Sequence, residues 1–273
     1  MERARQISDS IELGIVLSLI GGFMDAYSYI GRGGVFANAQ TGNLLLMGVH
    51  LSQGNIALST RFLMPVLSFG VGIVVADIVR TRLGRTIHWR QIVVLAEALI
   101  LALVAFLAPE ANLVANCLTS FACGMQVESF RAIHGHSIAT TMCIGNLRSC
   151  LQSVDSYVFT HKKRYLERAL LYFGVILTFV LGAVLGNLCV DMFAERAMLV
   201  ASIMCMFAFA LMFIDREQQF VAHTESVAHH TETTAQKTTK LFSPHQNSRI
   251  YTQASHQQSD MSISEEHGAH HAG

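Results

Sequence analysis

Six apolar runs, each close to the ~20 residues that a helix needs to cross the hydrocarbon of a bilayer, govern what this chain can become. They fall at roughly 12–31, 61–80, 91–108, 112–130, 168–190 and 197–214. Ala108-Pro109-Glu110-Ala111 alone separates the third from the fourth, which reads as a tight helical hairpin. Lipid satisfies no backbone hydrogen bonds, so apolar segments of this length are helical. The composition agrees. Only 14% of residues are charged, against about 25% in soluble chains, too few to cover a water-facing surface. The formal net charge is zero, which excludes the basic footprint of a nucleic-acid binder.

Lys and Arg give an orientation. Arg3 and Arg5, then Arg80, Arg82, Arg85 and Arg90, then Arg131, Arg148, Lys162, Lys163 and Arg164 share one side if six segments span. The opposite side holds only Arg32, Arg61 and Arg196. The basic side reads as cytoplasmic, with both termini inside. The N-terminal run carries Asp25 and lacks a small-residue cleavage site, so it is expected to be a first span rather than a signal peptide.

Four regions follow: a cytoplasmic N-terminus at 1–10, a first three-helix unit at 11–110, a second at 111–215, and a tail at 216–273. The tail is rich in His, Ser, Thr and Gln and poor in aliphatic residues, so it is expected to be disordered and cytoplasmic. Its histidines have no defined ligand spacing, so no metal site is expected. The six cysteines form no C-x-x-C pair and are read as reduced packing residues in helices. No cofactor is expected.

The two units resemble each other. Gly21 falls on Gly124, Asp25 on Glu128, Ile30 on Ile133, and Gly42-Asn43-Leu44 on Gly145-Asn146-Leu147. The stripe Ser68, Gly72, Ala76 returns as Thr178, Gly182, Gly186, and Asp77 matches Asn187. Small residues at this spacing let helix backbones approach closely, and packing accounts for the stripes. Three spans is an odd number, so the second unit inserts upside down. The expected fold is therefore an all-α integral membrane protein of about six transmembrane helices, built as two inverted three-helix repeats with a re-entrant or broken segment in each half.

The broken segments carry the candidate chemistry. Phe36-Ala37-Asn38-Ala39-Gln40-Thr41-Gly42-Asn43 is awkward as lipid-facing helix, because Gly, Asn and Thr disfavour helix interiors. The apolar stretch after it is too short to span. A half-helix beginning at about Thr41 to Asn43 would offer free N–H groups to an anion or polar group. Thr140, Thr141, Gly145 and Asn146 are the second-half counterparts. Capping and bending the chain is the plainer role for these residues. Asp25 and Glu128 are costly inside a membrane, at about 2.5–3.5 kcal/mol each if ionised at a helix centre, and residues tolerated at that cost commonly line a pathway. Loss of water favours the neutral form, so proton exchange enters the expectation. A structural role, accepting hydrogen bonds from a broken helix, is the alternative. Glu97 is a third candidate, about two turns inside its span. Asp77 lies beside Arg80, and a local ion pair accounts for it.

Gly21-Gly22-Phe23-Met24-Asp25-Ala26 followed by Phe36-Ala37-Asn38-Ala39-Gln40-Thr41-Gly42-Asn43 resembles the start of the YoaK-like family of bacterial multi-pass membrane proteins, a domain of unknown function. Gly124-Met125-Gln126, Thr140-Thr141 and Gly145-Asn146 resemble its second half, with departures at Val127 and Ile144. The resemblance spans about residues 10–215 and implies a six-span inner-membrane protein with no established substrate. Nothing in the chain forms a nucleophile–base constellation, so no enzyme is expected. The expected function is a small secondary transporter or permease, with Asp25, Asn38, Gln40, Thr41, Gly42, Asn43, Glu97, Glu128, Thr140, Thr141, Gly145 and Asn146 around its substrate or coupling ion. The alternative is a membrane scaffold or sensor acting through its tail. Membrane lipid, a small-molecule or ion substrate and a second copy of the chain are the expected partners.

Overall fold

A computed structural model describes residues 11–83, 89–130, 132–133, 136–137 and 143–212. The expected N-terminal region 1–10, the tail 216–273 and the candidates Thr140 and Thr141 lie outside these residues. Eight helices account for nearly everything described: α1 (Ile11–Ala26), α2 (Gln40–Ser52), α3 (Ile56–Leu83), α4 (Trp89–Val104), α5 (Asn112–Ser129), α6 (Cys143–Thr160), α7 (Lys163–Phe193) and α8 (198–212). A two-residue antiparallel pairing joins Ala132–Ile133 to His136–Ser137.

All six apolar runs fall on helices. By length and composition, three helical stretches among the described residues are suited to crossing a membrane: Ile11–Gly31, Ile56–Leu83 and Lys163–Met212. The last takes in α7 and α8, which meet at the 3-10 turn Ala194–Ala197, where Ala194 takes φ +48°. Their outward faces are apolar, with Leu67, Val71, Val74 and Ile78 of α3 and Phe173, Leu177, Val184 and Leu188 of α7 all exposed. This is the surface of a membrane protein, since a soluble one rarely exposes contiguous apolar faces of that extent. The expected hairpin is present: α4 ends at Val104 and a 3-10 turn at Pro109–Ala111 leads into α5.

Local chemistry explains the joints. Gln53-Gly54-Asn55 separates α2 from α3. Gly54 takes φ +73°, open to a residue without Cβ, and its N–H donates to the Leu51 carbonyl. Asn55 then caps α3, its side-chain oxygen accepting from the Leu58 N–H at 3.1 Å. Gly stop and Asn start are the residues these positions favour.

Two seams hold the bundle. α1 packs along α7, and α3 along α5. In both, backbone meets backbone at glycine. A Cβ on Gly22 would overlap the carbonyl of Phe179, and one on Gly182 would overlap that of Leu19. A Cβ on Gly72 would overlap the carbonyl of Phe121, and one on Gly124 that of Phe69. The small-residue stripes are therefore packing devices within the chain. Gly22, not the neighbouring Gly21, makes the approach that corresponds to Gly124. All six cysteines are free and lie in helices, as expected.

Candidate functional site

The last turn of α1 sets the site. After Ala26 the helix widens into a π-helical turn, Tyr27–Gly31, a feature found chiefly at functional positions. Asp25 sits just before it, at 8% exposure. Its Oδ1 accepts the backbone N–H of Asn38 at 2.7 Å and of Ala39 at 3.4 Å. The Asn38 side-chain amide donates to the Gly21 carbonyl at 3.1 Å. Residues 37–39 are thereby stitched to α1, and α2 begins immediately afterwards.

The helix after the broken segment starts at Gln40, and the preceding N–H groups of Asn38 and Ala39 donate to Asp25. Asn43 has a bracing role. Its amide accepts from the Phe36 N–H at 3.0 Å and donates to the Phe36 carbonyl and Gln40 Oε1, both at 2.8 Å. Gly42 lies under the Phe36 ring, where a Cβ would come within 2.8 Å of ring carbons. Gln40 donates to the Ala37 carbonyl at 2.7 Å and to Ser120 Oγ of α5 at 3.4 Å.

A cavity of about 920 Å³ opens beside Asp25. The start of α2 borders it on one side through Asn38, Gln40 and Thr41. The start of α6 borders it on another through Cys143 and Gly145, and α7 closes it with Phe179 and Asn187. The starts of both broken-segment helices thus converge on one space with one carboxylate. Of the expected site residues, Asp25, Asn38, Gln40, Thr41 and Gly145 line this cavity; Gly42, Asn43, Glu97, Glu128 and Asn146 do not.

The other two carboxylates have separate surroundings. Glu128, 6% exposed on α5, faces α3, where Arg80 Nη1 lies 3.7 Å from its Oε1. Arg80 also pairs with Asp77, so the expected local ion pair is present and extends to Glu128. Glu128 does not line the cavity beside Asp25, and the second broken segment, with Thr140 and Thr141, lies outside the described residues. Glu97 is fully buried in α4, and neither carboxylate oxygen has a hydrogen-bond partner. A buried, unpartnered carboxyl is costly, and Glu97 is enclosed among core residues that include the adjacent Ala98.

Arg32 was overlooked except as a loop charge. It is fully buried. Its guanidinium donates to Tyr27 Oη at 2.8 Å, to the carbonyls of Val104, Leu107 and Ala108 at 3.1, 2.9 and 3.3 Å, and to Asn112 Oδ1 at 3.1 Å. These carbonyls belong to the last residue of α4 and to the turn after it; Val104 and Ala108 also accept backbone N–H groups there, from Leu107 and Ala111. The signal was the sequence Gly31-Arg32-Gly33-Gly34: Gly33 and Gly34 take φ +86° and +79°, turning the chain so that the arginine enters the bundle. Gln126, fully buried, likewise reaches across from α5 to the Leu17 carbonyl of α1 at 3.0 Å.

Comparisons with known proteins agree with this architecture. A family model described as "Protein of unknown function (DUF1275)" matches residues 13–211. A curated relative, the UPF0700 transmembrane protein YoaK of Bacillus subtilis (strain 168), is 26% identical over 181 residues, covering 62% of this chain and 79% of the relative. No solved structure matches.

Proposed function

The chain belongs to the DUF1275 family of transmembrane proteins of unknown function, the YoaK-like family that its first-half motif resembles, and from that premise we propose that it is a small secondary transporter of the bacterial inner membrane. The observation that carries this reading is the convergence of the starts of α2 and α6 on a single cavity beside Asp25. Broken or discontinuous helices meeting at a buried site are the usual construction of a transport site. Irregular backbone at membrane depth is tolerated where it lines such a space.

The reading includes six spans in two inverted halves. Its support lies in the packing. The glycine contacts of α1 with α7 repeat, residue for residue, in α5 with α3: Gly22 and Gly182 in one seam correspond to Gly124 and Gly72 in the other. α2 packs on α3 as α6 packs on α7. The basic loops 80–90 and 131–164 then face the cytoplasm with both termini. Asp25 is the coupling residue in this proposal. It carries a proton or a substrate charge, while Asn38, Gln40 and Thr41 orient the substrate. Glu128 is structural, anchored by Arg80.

The test is transport by purified protein in liposomes under an imposed pH gradient, comparing wild type with Asp25→Asn and Glu128→Gln. Uptake that depends on the gradient and disappears only in Asp25→Asn supports the reading. Gradient-dependent uptake that survives Asp25→Asn removes Asp25 from the mechanism.

A further inference from the structure

We infer that the cavity beside Asp25 is a binding site for a lipophilic organic cation, a molecule with an apolar, preferably aromatic body and one positive charge, which enters from the bilayer. The inference names the substrate class of the site proposed above; the exchange step rests on that proposal, and the binding step does not.

Charge selects the sign. Among the described residues lining the cavity Asp25 alone is charged. Arg80 pairs with Asp77 and Glu128, and no ion pair among the described residues includes Asp25. Backbone N–H groups fix one oxygen of Asp25, and the residue's remaining exposure faces the cavity. A buried carboxylate is stabilised by a partner of opposite charge, and the described side chains supply none.

Shape and surface select the body. The volume, about 920 Å³, lies at the upper end of the range for small-molecule sites, about 300–1,000 Å³. Tyr29 and Phe36 stack with ring centroids 4.8 Å apart and form one wall. Phe69 and Phe179 contribute further rings. Aromatic faces attract cations as well as apolar surface, most strongly where water is excluded. The rim is apolar and open, with Ile30 at 52%, Ile144 at 79% and Val184 at 52% exposure. A polar solute in water would meet a greasy threshold; an amphiphile dissolved in the bilayer meets a matching one.

The site also couples the cation to a proton. A carboxylate that neutralises a bound cation cannot hold a proton at the same oxygen, so each cation that binds to the protonated site releases one proton. That exclusivity is what exchange of a cation against a proton requires.

Tetraphenylphosphonium is the probe, since it carries a permanent charge that no pH change removes. Titration calorimetry on the full chain in nanodiscs, in buffers of different ionisation enthalpy, reports affinity and proton release together. Two comparators control for greasiness: anionic tetraphenylborate, of matched size, and neutral triphenylphosphine oxide, one phenyl ring smaller. The expected result is saturable binding of the cation at least tenfold tighter than either comparator, weakening as pH falls, with up to one proton released per site. Asp25→Asn should weaken the cation more than tenfold and leave the neutral compound within about twofold. Tyr29→Leu, at a half-exposed position that cannot unfold the core, should weaken the cation about three- to tenfold. Equal binding of all three compounds, or no cation binding to wild type, overturns the inference. Cation binding without transport in liposomes upholds the site while refuting the transporter reading. Asp25-dependent transport of some other solute, without cation binding, refutes the cation and leaves the transporter.

Discussion

The first and second halves share a backbone plan and differ in what their acidic residues do. Asp25 and Glu128 fall on one another in the sequence, each near the end of the opening helix of its half. Asp25 is held by the N–H groups of a broken segment and borders a cavity. Glu128 is turned toward α3 and Arg80. Nearby, Gly22 and Gly124 each bring their helix against a carbonyl of its partner. The lesson is that close packing constrains both seams alike, because a Cβ in either meets backbone that cannot step aside.

The largest effect that would sharpen this contrast is expected at Arg32, which lies in the first half only. Replacing it with Met removes five hydrogen bonds, including those to the Leu107 carbonyl, the Asn112 side chain and the Tyr27 hydroxyl. The chain should lose at least ~3 kcal/mol of stability, read as a large fall in melting temperature in detergent. Retention of the wild-type melting temperature would deprive the arginine of its structural role. Next come the paired seams. Gly22→Ala and Gly124→Ala should each cost about 1–3 kcal/mol, and by similar amounts if the seams are equivalent, whereas Gly174→Ala, with open space around it, should cost nothing measurable. A tolerated Gly22→Ala beside a damaging Gly124→Ala would break the equivalence. Smaller in energy, though decisive for function, is the pair Asp25→Asn and Glu128→Gln. Transport should fall more than tenfold in the first, equivalent to about 1.4 kcal/mol, and stay within about twofold in the second; the reverse order in a liposome assay would exchange the two roles. The smallest effect belongs to Asp77→Asn. Arg80 and Asp77 are each nearly half exposed, and exposed pairs contribute about 0–1 kcal/mol, so a melting curve should shift by at most a few degrees.

Much of this was legible in the residues. The apolar runs located six of the eight helices, because their length and lack of charge admit no other structure in lipid; α2 and the 18-residue α6 fall outside them. Ala108 to Ala111 announced the hairpin, and the stripes at 68–76 and 178–186 announced close helix contact. The sequence pattern placed the repeat on Gly21 where contact geometry selects Gly22, since two adjacent glycines look alike until a neighbouring carbonyl distinguishes them. Asp25 was identifiable from its cost in a span, and hydrogen bonds from a broken segment were one of its two expected roles; that residues 38 and 39 supply them was hidden by a π-helical turn that apolar periodicity does not register. Arg32 was missed for the opposite reason. An arginine at the end of an apolar run ordinarily marks the water boundary, and only the α4 carbonyls gathered around it make it an interior residue. The approach of Arg80 to Glu128 was not legible, because Arg80 lies on another helix and reads in sequence as part of a cytoplasmic loop.

Both glycine seams join an element of one half to an element of the other, so neither half owns a complete core. On a growing chain this imposes a schedule. Gly22 leaves the ribosome early, and the Phe179 carbonyl that fills its notch follows more than 150 residues later. At ~5–20 residues per second, the groove on α1 stands open for roughly 10–30 s of synthesis. During that interval the nascent first half presents a bare backbone notch to the membrane, where it must be shielded by lipid or by the insertion machinery until α7 arrives to close it.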